Sequence, residues 1–278
     1  MIHRKSLTKV LPLLLIILID SMGMGLLIPS LTAIMIIPQQ HNIASHLQPD
    51  QRQMWYGVIM STYMLAWFFS ASILGDLSDQ VGRKKILSVC MAGSIIAFSL
   101  TGIAATVESL TLLIISRILG GLIAGSQAIA QAAIIDVSDA DSKAQHLGLI
   151  IMTASVGYIA GPLLGGILSD HHLSSWFFLY TPFYFAALLS LLNLLLLLGL
   201  FNETLPTRQR INLQWTHSLT MIKTGFSHPG IRAIASVLGL FMFAWGIYYC
   251  FISVFLAKVF HFSSTQVALY LSLIALGF

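Results

Sequence analysis

Residues 75–85 read GDLSDQVGRKK, a short charged stretch between two long apolar segments of the chain. It holds two aspartates, one arginine and two lysines, although only 9% of the 278 residues are charged and 57% are hydrophobic. Soluble domains carry about a quarter charged residues, and the mean hydropathy here is +0.87. We therefore interpret the chain as an all-α polytopic membrane protein in which this stretch is a loop between two spans.

The apolar segments predict seven membrane spans and the start of an eighth, since about 20 apolar residues cross a hydrocarbon core. The spans lie near 8–36, 54–74, 86–107, 110–135, 147–168, 176–200 and 231–257, and the eighth begins near 265. The longest polar stretch follows the sixth span. This predicts a six-span bundle over 1–201, a cytoplasmic linker over 202–230, and the first one to two helices of a second bundle over 231–278. A chain of two six-span halves needs further spans, so we expect the sequence to be incomplete.

The lysines and arginines predict the orientation in the membrane. Eleven of the 14 fall on the side of the predicted bundle that carries the N-terminus, whereas Arg52 and Lys258 fall on the other side and Arg117 lies within a span. Short cytoplasmic loops carry an excess of basic residues, so the N-terminus is expected to be cytoplasmic. Basic residues at span ends are topology signals, and we expect no nucleic-acid partner.

Asp20 and Arg117 are the only charges deep within predicted spans. The rise of a helix puts Asp20 about 15 Å from the cytoplasmic edge and Arg117 at a similar height. Two opposite buried charges are expected to pair, because either alone is much more costly. One interpretation is a structural ion pair between spans one and four. The other is a proton site, since burial favours the neutral acid and a neighbouring arginine favours the carboxylate.

Glycines repeat every four residues in spans four and five. Such stripes lie on one helix face and let two backbones approach closely in a membrane, and a proline in the stripe removes one helical hydrogen bond. In span four the stripe continues the face of Arg117. The residues concerned are Gly121 and Gly125 in span four, and Gly157, Gly161, Pro162 and Gly165 in span five.

The charged loop at 75–85 is expected to form a tight turn. Gly82 permits the turn, and Asp79 precedes Arg83 by four residues, the spacing of a helical charge pair. A simple anchor on the cytoplasmic side explains the basic residues. It does not explain Asp76, Asp79 or the glycines.

Other polar and aromatic side chains give weaker signals. Gln127 and Gln131 are candidates for lining a cavity or for hydrogen bonding between helices. Phe241, Trp245 and Tyr248 are candidates for an aromatic wall facing a flat or cationic substrate, although aromatic residues also mark membrane surfaces. The DHH stretch at 170–172 lacks further ligands, and no phosphate-binding loop occurs. We expect no metal, no cofactor and no enzymatic activity.

Three motifs resemble those of the major facilitator superfamily. GDLSDQVGRKK is similar to the family's loop signature through Gly75, Asp79, Gly82, Arg83 and Lys84, with Gln80 where the family commonly has arginine. RILGGLIAG resembles the fourth-span motif through Arg117, Gly121 and Gly125. GYIAGPLLGG resembles the fifth-span motif through Gly157, Gly161, Pro162, Gly165 and Gly166.

The resemblance implies a function that composition alone does not supply. The fifth-span motif is typical of proton-coupled antiporters, and DSMGMGLLIP and ETLP are similar to exporters of the tetracycline and multidrug type. The implied protein is a monomer in the bacterial inner membrane that exchanges protons for small amphipathic molecules. In the family, the loop contacts the second half and stabilises the outward-open state, so Asp79 with Arg83 is expected to act as a latch.

Alternatives to drug export remain open. Tetracycline exporters carry a further acid in span three, where this chain has AGSIIAFSLTG, so the substrate is not implied by the resemblance. A metabolite or siderophore transporter would use the same scaffold. A chain that lacks spans could also be a remnant that transports nothing.

Overall fold

The computed structural model describes residues 4–37, 43, 47–139, 142–171, 173–205 and 217–277. Within these ranges the fold contains ten helices and no strand. The helices are α1 (Arg4–Met35), α2 (Pro49–Val81), α3 (Arg83–Thr106), α4 (Leu110–Ile123), α5 (Ser126–Asp136), α6 (Lys143–Leu168), α7 (Thr181–Leu200), α8 (His217–Ser227), α9 (Arg232–Val259) and α10 (Ser264–Ala275).

Seven segments are long and apolar enough to cross a membrane: Val10–Met35 within α1, then α2, α3, Leu110–Asp136, α6, α7 and α9. The prediction of an all-α multi-pass membrane protein is therefore confirmed. We call the end of the bundle at which α2 meets α3 the basic end, and the opposite end the far end. Helix α10 corresponds to the predicted eighth span, and α8 lies within the predicted linker, of which residues 206–216 are outside the described ranges.

The second span is longer than its apolar segment predicts. Helix α2 begins at Pro49, where Gln48 and Gln51 form a reciprocal capping box, and it continues to Val81. The polar residues at both ends of α2 are helical because the helix begins at the capping box and ends at the turn at Gly82. Apolar length alone does not locate them.

The fourth span is broken rather than continuous, contrary to the single segment predicted over 110–135. Helix α4 ends at Ile123 and α5 begins at Ser126, with Ala124 and Gly125 between them. Glycine–serine pairs are a usual cause of such breaks. The Gly121 carbonyl near the break accepts two hydrogen bonds, one from the Ala124 N–H at 3.2 Å within the span and one from the Ser70 hydroxyl of α2 at 2.8 Å.

Close helix packing in the first half depends on the absence of side chains at the predicted glycines. A Cβ on Gly121 would lie 2.6 Å from the Ala66 Cβ in α2, and one on Gly125 would lie 2.9 Å from the Leu74 Cδ1. Gly121 and Gly125 of span four therefore face α2.

The glycine stripe of α6 faces α1. A Cβ on Gly157 would lie 2.7 Å from the Ser21 Cβ, and one on Gly165 would lie 2.7 Å from the Leu26 carbonyl oxygen. A Cβ on Gly161 would meet the Met22 carbonyl oxygen. These contacts bring the two backbones together beside Asp20.

Two further motif residues of α6 face other neighbours. Pro162 packs against the backbone of Gly25 in α1. Gly166 turns to a different helix, because a Cβ there would meet Ala268 of α10. Helix α6 is thus packed against both α1 and α10.

Helix α9 joins the rest of the fold at the far end. The Thr32 hydroxyl of α1 donates to the Ser253 hydroxyl at 2.9 Å, and the Tyr56 hydroxyl of α2 donates to the Cys250 carbonyl at 3.1 Å. Tyr56 and Ser253 are fully buried. Towards the basic end, by contrast, α9 exposes apolar side chains such as Val237 and Phe241.

The buried core has two parts along the bundle axis. One contains Val10, Leu13, Ile16 and Ile17 of α1 and lies towards the basic end. The other contains Leu26 to Leu31 and further residues of α1 towards the far end. Asp20 lies in the level between the two apolar clusters.

Candidate functional site

Asp20 binds the N-terminus of α5, the second half of the broken span. The Ser126 hydroxyl donates a hydrogen bond to Asp20 Oδ2, and the backbone N–H of Gln127 lies on the same side of the carboxyl group. Helix α5 has Gly125 at its N-cap position and therefore no capping side chain of its own. The first N–H groups of a helix need acceptors from elsewhere, and the Asp20 carboxylate of α1 lies at this helix end.

Arg117 is buried on the other side of the break. Its side chain is in the last turns of α4, the residue is only 3% exposed, and its Nη2 donates to the Thr101 hydroxyl of α3. Within the described part of the chain, its Nε has no hydrogen-bond partner. A buried cation with an unsatisfied donor is costly, which makes this position a candidate for function.

The expected ion pair between these two residues is absent, so that part of the prediction was wrong. Among the described residues, Asp20 and Arg117 form no salt bridge, because Asp20 is held by α5 and Arg117 by α3. Both residues nevertheless line the same cavity, together with Tyr63 of α2 and Ser94 of α3.

The cavity between Asp20 and Arg117 is small, with a volume of about 40 Å³. A water molecule needs roughly 10–15 Å³ on this measure, whereas ligand pockets are on the order of 300–1,000 Å³. The cavity therefore admits a few waters or a proton path and excludes a drug-sized molecule.

The structure does not bring the other predicted cavity residues to this site. The side chains of Gln127 and Gln131 are half-buried without lining the cavity. On α9, Phe241 and Tyr248 are exposed and the ring of Trp245 lies 5.5 Å from that of Tyr248. None of these aromatic residues lines the cavity of Asp20, and their role stays a prediction.

A larger cavity of about 930 Å³ opens at the far end between the first half and α10. Phe178 and Tyr180 are stacked at its wall with ring centroids 5.2 Å apart, and Glu108 and Asp170 also line it. Its size falls within the range of ligand pockets. Asp170 and His171 belong to the DHH stretch, whereas His172 lies outside the described residues.

The loop at 75–85 is reduced to a single residue. Gly82 has φ 119° and ψ 143°, a conformation that other residues rarely adopt, and α3 begins directly after it. Arg83 then contacts Asp79 at 2.8 Å across the turn and Asp136 of α5 at 3.0 Å. The charge pair thus joins two helices rather than lying within one.

Glu203 completes this cluster from the segment after α7. Its carboxylate accepts hydrogen bonds from the backbone N–H groups of Arg83 at 2.9 Å and Lys84 at 3.3 Å. The Lys84 ammonium group donates to the Leu198 carbonyl of α7 at 2.9 Å. A Cβ on Gly82 would meet the Glu203 carboxylate, whereas Gly75 borders open space.

Four of these contacts were missed by the sequence reasoning: those of Ser126, Thr101, Asp136 and Glu203. The Gly125–Ser126 pair inside a predicted span is the signal that would have indicated a helix break. For Asp136, Thr101 and Glu203, the chain offers no local pattern, because their partners lie far away in the sequence.

The long apolar helices and the buried charges between them define a polytopic membrane protein with an internal polar site. The chain belongs to the Major Facilitator Superfamily, whose family model matches residues 13–278. That family consists of transporters rather than enzymes.

Relatives with curated names include tetracycline resistance proteins. The class C protein of Escherichia coli is 32% identical over 229 residues, which are 78% of this chain and 53% of that protein. The class H protein of Pasteurella multocida is 33% identical over 197 residues, covering 70% of this chain and 45% of that protein. The chain therefore spans about half the length of the curated relatives it matches.

Solved structures support the fold. The human organic anion transporter MFSD10 is similar with a TM-score of 0.70 at 20% identity, covering 99% of this chain and 70% of that one. A bacterial homolog of the human lysosomal transporter Spinster, in an inward-facing and unoccupied conformation, gives a TM-score of 0.72 at 19% identity over 98% of this chain and 60% of that one.

Proposed function

We propose that this chain forms the first part of a proton-coupled exporter of small amphipathic molecules, including drugs, that works by alternating access. The observation that carries the proposal is that the half-buried Asp20 and the buried Arg117 line one small cavity within the helix bundle. Ionisable groups at that depth are rare and are typical of ion pathways. The tetracycline resistance relatives indicate the substrate class.

Asp20 is the proposed proton carrier. Its carboxylate faces a cavity that admits water, so a proton has a route to it, while Arg117 supplies positive charge across the same cavity without holding the carboxylate directly. Because Asp20 is bound by hydrogen-bond donors rather than by a cation, a small movement of α5 changes the balance between its two protonation states.

In this proposal the substrate does not bind in the cavity between Asp20 and Arg117. The cavity of about 40 Å³ is too small for it, whereas the far-end cavity of about 930 Å³ has the size and the stacked aromatic rings for a flat amphipathic molecule. We place the protein in the bacterial inner membrane with the N-terminus cytoplasmic. Residues 1–201 form the first bundle, 202–230 the linker and 231–278 the start of the second bundle.

The cluster at the α2–α3 turn is the proposed conformational latch. Arg83 is held by Asp79 and Asp136, and this contact keeps α2, α3 and α5 together at the basic end. The latch would fix the surface against which the second half closes, with Gly75, Gly82 and Lys84 shaping the turn.

Transport into everted membrane vesicles tests the proposal. Vesicles that contain the full product of the gene are energised with a proton gradient, and uptake of radiolabelled tetracycline is measured. We expect Asp20→Asn to abolish gradient-driven uptake, while Asp50→Asn, an exposed acid in the first turn of α2, leaves it unchanged. Gradient-driven uptake that survives Asp20→Asn would exclude Asp20 as the proton carrier. No uptake in the parent protein would refute export of this probe.

A further inference from the structure

The break in span four leaves two sets of backbone groups in the membrane interior, and each set has a partner outside its own helix. On the carbonyl side, Gly121 accepts from the Ser70 hydroxyl at 2.8 Å. On the amide side, the Asp20 carboxylate lies at the N-terminus of α5, where it accepts from the Ser126 hydroxyl and is close to the backbone N–H of Gln127. Polar groups without partners cost several kcal/mol in lipid, so these contacts stabilise the break.

The two protonation states of Asp20 suit this position unequally. A helix N-terminus carries about half a positive charge, and an ionised carboxylate accepts hydrogen bonds much more strongly than a neutral acid does. Helix α5 spans Ser126–Asp136, long enough to present such a terminus. The hold of α5 on Asp20 is therefore strongest when Asp20 carries no proton.

We propose that Ser126 is a positioning residue that links the proton on Asp20 to the conformation of span four. Without the proton, Asp20 caps α5 and keeps the break open. With the proton, the cap weakens and α5 is released to shift relative to α4, which carries Arg117. The inference deepens the proposed function and rests on it, in that the proton on Asp20 is taken to be the coupled one.

Other titratable groups face Asp20 from three further helices, namely Tyr63 of α2, Cys90 of α3 and Arg117 of α4. Among the described residues, Arg117 forms no salt bridge with Asp20 and is instead bound by Thr101 of α3. The Ser126 hydroxyl of α5 is therefore the donor in direct contact with the carboxylate, and a mutation can remove it.

Infrared spectroscopy of the full-length protein in vesicles tests the link without any transported substrate. The carbonyl band of protonated Asp20 is identified as the band that Asp20→Asn removes, and it is followed between pH 5 and pH 9. We expect Ser126→Ala to keep this band to a pH about one unit higher than the parent does, because the ionised form loses a hydrogen bond. Ser126→Thr, which retains a hydroxyl, is expected to restore the parental profile.

A matched control is Ser190→Ala. Ser190 is fully buried in α7, and its hydroxyl donates to the Ala186 carbonyl of its own helix, so its removal should leave the Asp20 band unchanged. Should Ser126→Ala fail to fold, Ser126→Cys keeps the volume with a weaker donor, and a smaller shift in the same direction is expected.

An Asp20 band that titrates identically in the parent and in Ser126→Ala would overturn the proposal, as would an equal shift in Ser190→Ala. A shifted band in a protein that shows no gradient-driven uptake would retain the role of Ser126 and refute the proposed export. Loss of uptake in Asp20→Asn with no effect of Ser126→Ala on the band would support the proposed export and refute the role of Ser126.

Discussion

The carboxylate of Glu203 accepts a hydrogen bond of 2.9 Å from the backbone N–H of Arg83, the first residue of α3. This contact brings the segment that follows α7 onto the start of a helix whose first three residues are all basic. Positive side chains are unfavourable at a helix N-terminus because they add to the positive end of its dipole. Glu203 offsets this charge and satisfies backbone donors that α3 cannot satisfy from its own sequence.

Replacement of Glu203 is expected to destabilise the basic end. Glu203→Ala removes the acceptor for two N–H groups, and a lost helix cap costs about 1 kcal/mol. The midpoint of thermal unfolding in detergent should fall by a few degrees, whereas Asn202→Ala, at the exposed preceding position, should not change it. Equal midpoints for the Glu203 variant and the parent would show that the cap contributes no stability.

The two glycines of the α2–α3 motif are expected to respond oppositely to alanine. Gly82→Ala should destabilise the protein by roughly 1–3 kcal/mol, because φ is 119° and the new methyl group meets Glu203. Gly75 lies within α2 beside open space, so Gly75→Ala should leave stability unchanged or raise it by up to about 1 kcal/mol. Unfolding midpoints that fall equally in both variants would contradict this difference.

Close packing of α6 on α1 is expected to depend on Gly161. A methyl group at this position meets the Met22 carbonyl oxygen, and overpacking of this kind costs roughly 1–3 kcal/mol. Gly148→Ala in the same helix is the control, since a Cβ there has no described atom within 4 Å. The midpoints of thermal unfolding of the two variants are compared. A Gly161→Ala protein as stable as the control would mean that α1 and α6 move apart without loss of stability.

The contact of α9 at the far end is expected to loosen in Tyr56→Phe. This variant loses the hydrogen bond to the Cys250 carbonyl, which contributes on the order of 1 kcal/mol. Maleimide labelling of the half-buried Cys250 should become about five-fold faster, while Cys90 is fully buried. Tyr184→Phe on α7 is the control. An unchanged labelling rate in Tyr56→Phe would indicate that the hydroxyl does not hold α9.

The sequence predicted the membrane class and the family correctly because both depend on local patterns. The length of an apolar segment is enough to predict a span, and the glycine motifs of spans four and five can be recognised in a short stretch of sequence. Asp20 and Arg117 were recognised as unusual for the same reason, since a charge within an apolar segment is visible without a structure.

The partners of these residues were not predictable in the same way. Asp20 was expected to meet Arg117, but the break at Ala124 and Gly125 directs the N-terminus of α5 towards the carboxylate. Pairing rules applied to charges alone overlook backbone donors, which every helix end carries. Arg83 was likewise expected to pair with one acid, Asp79. The structure adds Asp136, which is separated from Arg83 in the sequence by the whole of α3 and α4.

Gly165 and Gly166 are consecutive in the chain, yet the first faces Leu26 of α1 and the second faces Ala268 of α10. Two adjacent residues of α6 thus contact two different helices, α1 and α10. The second contact is reinforced by the Ser272 hydroxyl of α10, which donates to the Ile159 carbonyl of α6 at 3.0 Å, so α10 is anchored on the same helix that packs against α1. A side chain added at Gly166 would meet Ala268 and is expected to displace α10, while the contact of Gly165 with α1 stays in place.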